Sequence, residues 1–303
     1  MNRRKFLTAG AALAGTSSLP GALPPNGPSL RHDPAIEDGG RPGANTRHEF
    51  AINIEMWFGG MSFLEKVQAT ADLGFKWIEF WPWTNKDLDG LVRLCKKNGL
   101  QVAQFTAWGF NPGMNNPDNH DRFEKQILEA CRTANKIGAP MATVVAGNNQ
   151  SGMNQMQMLD AVRDGLKRVA PIAEDHNVML IVEPMNPRNH GGHCLYGSTD
   201  AVRICRQVDS SHVKINWDLY HMQIVEGDLC KMLEEGWDQV GYLQLADNPG
   251  RNEPGTGEIN YGRVFQAAWD LGYRKPIGVE CSPASPPLEA ARRLAAADRW
   301  RRP

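Results

Sequence analysis

From Glu49 onward the chain alternates short, mainly apolar runs with longer stretches whose apolar residues recur every three or four positions. The short runs read as strands at residues 50–56, 76–80, 100–106, 141–146, 178–183, 213–218, 240–245 and 276–280. The longer stretches read as helices at 62–73, 85–98, 119–137, 155–176, 198–208, 228–235, 261–271 and 288–300. Gly74, Gly99 and Gly138 stop the first three helices, and Asn177 offers a left-handed exit from the fourth. The strands are continuous apolar runs rather than alternating ones, as in a parallel sheet covered by helices on its outer face. Eight strand–helix units predict an α/β fold, a closed (β/α)8 TIM barrel, in preference to an open doubly wound sheet. No Gly-rich dinucleotide loop and no phosphate-binding loop follows the first strand, which weakens a nucleotide-binding alternative.

The first 46 residues differ in kind. Arg3 and Arg4 stand ahead of Lys5, Phe6 and a short Ala/Gly/Leu run that ends near Leu19. Adjacent arginines before a weakly apolar stretch look like a twin-arginine export signal, and the alternative is a disordered basic tail. The run is too short to anchor the chain stably in a bilayer. Residues 23–46 are rich in Pro, Gly and Asn and lack any hydrophobic period. Residues 1–46 are therefore assigned to a signal and a disordered linker, and residues 47–303 to the barrel. A periplasmic or otherwise exported location is the expectation.

Composition narrows the partners. The formal net charge is −1 and no basic stripe stands out, which argues against nucleic acid. The six cysteines, at 95, 131, 194, 205, 230 and 281, show no paired spacing and read as mostly buried thiols, not as a disulfide scaffold or a zinc site. A small molecule is the expected partner, and self-association is left open.

In a barrel the chemistry belongs at the carboxyl ends of the strands. Glu183, Asp218, Gln244 and Glu280 end, or nearly end, strands five to eight. Any one of them could be a helix cap, an ion-pair partner or a satisfied core amide. Together they offer three carboxylates and an amide oxygen around one side of the mouth. Three ionised carboxylates repel one another, and a divalent cation relieves that. Oxygen donors suit Mg²⁺ or Mn²⁺ better than Zn²⁺.

Other candidates sit near the mouth. His221 could donate to a substrate oxygen or pack the turn. Arg251, in the long polar loop that also carries Asp247, Glu253 and Glu258, could hold a substrate carboxylate or lie in solvent. Glu79 ends strand two in a site-like place, beside Trp81 and Trp83. His190 and His193 read as loop polar residues. Lys214 and Asn216 share parity with Asp218 and should point into the barrel, with Lys214 paired lower down.

Four segments carry a family resemblance: IVEPMNPRN (181–189), WDLYHMQIVEGDL (217–229), LQLADNPGRNEPGTGEINY (243–261) and GVEC (278–281). At these residues the chain resembles the hydroxypyruvate isomerase family, within the xylose-isomerase-like barrels. The resemblance implies that Glu183 and Glu280 bind metal and exchange protons with substrate, with Asp218 and Gln244 as the remaining ligands. Related sugar epimerases usually have His where Gln244 stands, which favours the hydroxypyruvate isomerase branch. Asn252 stands where a His is common in the family. The second, third and fifth loops, WPWTNKD, TAWGFNPGMNNP and HGGHCLYG, also depart from its usual patterns. The implied reaction is a metal-dependent aldose–ketose isomerisation of a small hydroxy-keto acid or sugar through an enediolate, with hydroxypyruvate and tartronate semialdehyde as the family pair. A keto-sugar 3-epimerase, a polyol dehydratase and an exported carbohydrate-binding barrel without catalysis stay open.

Overall fold

In the computed structural model, which describes residues 39–300, the apolar runs form eight parallel strands. They are β1 (Phe50–Asn53), β2 (Trp77–Phe80), β3 (Gln101–Trp108), β4 (Met141–Val145), β5 (Met179–Glu183), β6 (Val213–Asp218), β7 (Val240–Leu245) and β8 (Ile277–Val279). Each strand pairs with the next, and β1 closes on β8 with Phe50 opposite Ile277, so the sheet has no free edge.

The helices are α1 (Ile54–Trp57), α2 (Phe63–Asp72), α3 (Leu88–Asn98), α4 (His120–Ile137), α5 (Gln155–His176), α6 (Ser198–Val208), α7 (Leu219–Val225), α8 (Leu229–Glu235), α9 (Tyr261–Asp270) and α10 (Pro287–Ala297). The long ones lay one apolar stripe on the barrel. Phe123, Ile127 and Ala134 of α4 are buried this way, as are Leu159, Val162, Leu166 and Val169 of α5. Each such Leu, Ile, Val or Phe contributes roughly 1.5–3 kcal/mol of burial. Local chemistry sets the ends. Asn154 and Gln157 form a capping box at the start of α5, and Gly99, Gly138 and Asn177 close α3, α4 and α5 in the left-handed region.

The structure departs from the expected elements where a strand-end side chain caps the next turn. The strand expected over 50–56 stops at Asn53, whose Oδ1 accepts from the N–H groups of Glu55 (3.1 Å) and Met56 (3.3 Å) and starts α1. Asp218 does the same for α7, a helix the spacing does not predict, by accepting from Tyr220 N–H at 2.8 Å. The packed chain also begins ahead of residue 47. Pro42–Asn45 is a turn of 3₁₀ helix, Pro42 is buried, and Gly43 N–H donates to Leu73 O at 3.0 Å. A side chain at Gly43 would collide with the Phe75 ring. The twin-arginine stretch lies outside the described residues. No helix among the described residues is long and apolar enough to cross a membrane. All six cysteines are free thiols, and five are buried.

Inside the barrel the layers are sorted by polarity. Near the amino-terminal end Lys214 Nζ donates to Asp238 O (3.2 Å) and Gln239 Oε1 (3.1 Å), the low pairing its parity predicts. An apolar plug of Ala51, Ala103, Met141, Ile181 and Tyr242 fills part of the interior. The buried polar groups gather toward the carboxyl ends.

Candidate active site

Glu183 ends β5, Asp218 ends β6, and Glu280 directly follows β8. His221 lies in the first turn of α7, one turn beyond Asp218. Each of these four places a ligand atom within 4.8 Å of the others, and all four are buried. Asp218 Oδ2 and His221 Nε2 have no hydrogen-bond partner despite being enclosed, and they lie 3.5 Å apart. An enclosed carboxylate oxygen without a donor is costly, and a cation held among Glu183, Asp218 and Glu280 would offset that cost. The donor set therefore fits a hard divalent ion.

The tautomer of His221 follows from its neighbours. Asn189 N–H donates to Asn186 Oδ1 at 2.9 Å, which turns the Asn186 amide nitrogen toward His221 Nδ1 at 2.5 Å. Nδ1 is thus an acceptor, and Nε2 carries the proton. Burial holds the His221 pKa down, against the pull of Asp218, so the ring is neutral. Its Nε2–H faces Glu183 and Asp218 at 3.5 Å, too far to bond either. This is a donor waiting for an oxygen in the pocket.

Gln244 and Glu79 lie just below. Gln244 is the register partner of Asp218. Its Oε1 accepts from Asn216 Nδ2 at 2.5 Å, and its Nε2 donates to Glu79 Oε1 at 2.8 Å. Glu79 is completely buried and also accepts from Asn53 Nδ2 (3.1 Å), Gln104 Nε2 (3.1 Å) and Tyr242 Oη (2.8 Å). Burial pushes the Glu79 pKa up, and the four hydrogen bonds oppose that. Of the expected site residues, Glu183, His221, Arg251 and Glu280 line the cavity, whereas Glu79, Asp218 and Gln244 do not.

The long loop after β7 is folded around Asp247. Its Oδ1 accepts from the N–H groups of Asn248 (3.0 Å) and Ile259 (3.1 Å). Its Oδ2 accepts from those of Gly255 (2.8 Å), Thr256 (3.1 Å) and Gly257 (2.9 Å). Gly257 is obligatory there, because any Cβ would run into the Asn248 carbonyl. Glu253 accepts from Ala284 N–H at 2.8 Å, and Glu258 accepts from Asn248 Nδ2 at 2.5 Å. Those acids brace the loop. Arg251, at φ +54°, is the charged residue the loop sends inward. Its Nη2 donates to Glu280 Oε2 at 2.6 Å, and its guanidinium lies over the Tyr220 ring, 5.2 Å from the centroid.

Glu280 also accepts from Trp81 Nε1 (2.9 Å) and Asn53 Nδ2 (3.3 Å). Glu183 is met by the Asn216 amide. Burial pushes both glutamates up to about 8. The negative charge of Asp218 adds to the effect at Glu183 and that of Glu183 at Glu280, while Arg251 opposes both shifts. The cavity above them encloses about 340 Å³. Glu183, His221, Arg251 and Glu280 make its polar side, and Trp81, Pro82, Phe110, Val145 and Met185 its apolar side. His190 joins the wall, stacked on Phe110 at 5.1 Å, and burial lowers its pKa to about 4. His193 ties loops together, its Nε2 accepting from Gly147 N–H at 3.2 Å. Asn53 and Asn186 were not singled out from the sequence. The one available signal is for Asn53, a polar residue directly after the apolar run FAI; Asn186 follows Pro184 and Met185, past the Glu183 that ends its run, and carries none.

The xylose isomerase-like TIM barrel family matches residues 67–300. Hydroxypyruvate isomerase of Escherichia coli K12 is 30% identical over 240 residues, covering 77% of this chain and 93% of that one. A 2-oxo-tetronate isomerase of Cupriavidus necator is 32% identical over 241 residues, covering 77% and 92%. Among solved structures, one described as an AP endonuclease, family 2, from Brucella melitensis superposes with a TM-score of 0.76 at 26% identity, over 80% of this chain and 96% of that one. The apo 3-keto-D-glucoside 4-epimerase of E. coli shares the fold, with a TM-score of 0.71 at 22% identity, over 83% and 99%.

Proposed function

The chain belongs to the xylose isomerase-like TIM-barrel family, among the relatives of hydroxypyruvate isomerase, and we propose from that premise that it is a metal-dependent isomerase of small hydroxy-keto acids. The observation that carries the reading is the placement of Glu183 and Glu280 at the mouth of one cavity, with the unpartnered Asp218 Oδ2 and His221 Nε2–H between the strands that hold them. The substrate pair would be hydroxypyruvate and tartronate semialdehyde, or a four-carbon 2-keto acid and its isomer.

Glu183, Asp218, Gln244 and Glu280 would hold Mg²⁺ or Mn²⁺, and the ion would supply Lewis-acid stabilisation of the negative charge that develops on substrate oxygen. The remaining chemistry belongs to the side chains. Three donors converge on Glu280, one of them a guanidinium, and favour its carboxylate form. Glu280 is therefore the base that takes the proton from the carbon beside the carbonyl. Glu183 lacks a charged partner at that distance and gives its proton to the adjacent carbon, while the substrate's hydroxyl proton passes to the former carbonyl oxygen and the two glutamates regain their starting protonation through solvent. In the reverse direction the two exchange roles. His221 Nε2–H donates to the enediolate oxygen. Arg251 Nε is buried without a partner, and the guanidinium faces the cavity, where it would fix a substrate carboxylate. Trp81 and Phe110 line the same cavity and exclude water from it.

A keto-sugar epimerase using the same two glutamates is the second reading. The cavity, at about 340 Å³, has room for a larger substrate than a three-carbon acid, and its Trp81–Phe110 wall suits a sugar ring. An endonuclease reading has less support, since a formal charge of −1 offers a polyanion no net attraction. Export through a twin-arginine signal is part of the same proposal and rests on Arg3 and Arg4.

The deciding experiment is turnover on hydroxypyruvate, four-carbon keto acids, fructose and psicose, with and without chelator and with Glu280→Gln. Metal-dependent turnover of the keto acids, lost in the variant, is expected. Preferential epimerisation of the ketoses would replace the first reading with the second.

A further inference from the structure

We propose that Glu79 is a positioning residue that aims the amide oxygen of Gln244 toward the carboxylate cluster, so that Gln244 serves as a ligand to a divalent cation. The proposal rests on the metal-site reading above and adds a residue that lies outside the cavity.

The argument starts from the fork of an amide. One arm is a donor and the other an acceptor, and turning one arm down turns the other up. Gln244 Nε2 donates to Glu79 Oε1 at 2.8 Å, so its oxygen points away from Glu79. That oxygen meets Asn216 Nδ2, and Gln244 is in register with Asp218, on the adjacent strand at the floor of the cluster. Asn216 Nδ2 holds the oxygen arm, and Glu79 is the acceptor that holds the nitrogen arm, so the two together fix the amide.

Two further features favour this over a merely satisfied core carboxyl. Oε1 of Glu79 is shared with Asn53 Nδ2, whose orientation is locked because Asn53 Oδ1 caps α1. The same Asn53 nitrogen reaches Glu280 Oε1 at 3.3 Å, so Glu79 braces two strand-end groups of the site. An oxygen that receives two amide N–H groups is an acceptor whether the carboxyl is charged or neutral. The barrel also makes room for this arrangement. Gly278, the register partner of Gln244 on β8, faces Glu79 Oε2 and Gln244 Cγ, and no Cβ fits there. Glu79 bonds Tyr242, which packs with Ala51, Ala103, Met141 and Ile181, so the carboxyl borders an apolar plug where its burial is costly. Outer partners of metal ligands typically carry about 10–100-fold of metal affinity.

The test is calorimetric titration of Mn²⁺ into the chelator-stripped full chain, with the Tm of every variant recorded beside it. Glu79→Met removes the acceptor and should weaken Mn²⁺ by about 10–100-fold in protein that still melts cooperatively. Glu79→Gln keeps an oxygen under Gln244 while its nitrogen takes the place of Oε2, turning to the Tyr242 oxygen and giving up the bond from Gln104 Nε2, and should stay within about threefold of wild type by the same measure. Gln244→Met should weaken Mn²⁺ as Glu79→Met does, and the double variant should be no weaker than either. That cycle also decides the matter if Glu79→Met folds poorly, because wild-type Mn²⁺ affinity in Gln244→Met would overturn the proposal. Wild-type affinity in a folded Glu79→Met, alongside loss of binding in Asp218→Asn, would overturn the positioning role and leave the metal site standing. Absence of Mn²⁺ binding by the wild-type chain would remove both.

Discussion

Arg251 Nη2 lies 2.6 Å from Glu280 Oε2, and the same nitrogen is 3.9 Å from Asp218 Oδ2. A single cation from a loop thus lies between two of the strand-end carboxylates. The side chain is 19% exposed and its partners are nearly buried, so the contact is weakly screened. Arg251 both favours the charged form of Glu280 and faces the space where a substrate carboxylate would lie.

Arg251→Met should separate these roles by substrate. For keto acids, KM should rise and kcat fall, with a combined loss of about 10²–10³-fold in kcat/KM, or roughly 3–4 kcal/mol. For an uncharged ketose turned over by the same protein, the KM change should be small. Steady-state kinetics on both substrates checks this, and an equal KM penalty on both would refute the carboxylate role.

Glu183→Gln and Glu280→Gln should each lower turnover by at least about 10³-fold. Tm should stay level or rise in Glu183→Gln, which replaces a buried acid by a neutral isostere, and fall in Glu280→Gln, which leaves the Arg251 guanidinium without its carboxylate. Solvent deuterium incorporation distinguishes the two. Glu280→Gln should stop exchange from the keto acid, whereas Glu183→Gln should retain slow exchange without isomerisation. Retained isomerisation in either variant would mean that the glutamate pair had been misassigned.

How far the sequence reveals such a site depends on which way a side chain faces. The eight strands could be read because a parallel barrel buries both faces of each strand, leaving an unbroken apolar run. Glu183, Asp218 and Glu280 stood out because each is the polar residue on which such a run ends, and the structure brings these three together. Glu79 has the same look, EF after WI, yet it lies one residue before the end of β2 and points down into the amide layer. Residue spacing alone does not separate those two orientations. Nor does it show that Asp247 organises its loop while Arg251 enters the site, because that division depends on backbone N–H groups up to twelve residues away. Asn53 and Asp218 both became helix caps, a role visible only once the chain has turned.

The amino-terminal segment yields its own prediction. If Arg3 and Arg4 direct export of the folded protein, replacing both by lysine should leave activity and fold unchanged and hold the protein in the cytoplasm. Cell fractionation followed by immunoblotting reads the outcome. Unchanged partition of the double variant would return these residues to an ordinary basic tail.

The last prediction joins acidity to the metal. Glu183 and Glu280 are each raised to about 8 from 4.5, chiefly by burial and then by neighbouring carboxylates. A carboxyl with a raised folded pKa binds its proton more tightly in the folded state than in the unfolded one. Its contribution to stability is complete below the unfolded value and is lost as pH rises through the folded value. The chelator-stripped protein should therefore lose Tm progressively between about pH 4.5 and pH 8. A decline of about 5 °C or more is expected for a domain of this size. Excess Mn²⁺ should raise Tm little at pH 5 and most near pH 8, because the ion favours the ionised carboxylates that burial disfavours. Glu280→Gln should flatten the slope of the stripped protein and reduce the Mn²⁺-induced gain together, since one residue supplies both. Thermal melts across pH, with and without Mn²⁺, check the pairing, and a stripped protein whose Tm rose from pH 5 to pH 8 would contradict the sign of the burial effect.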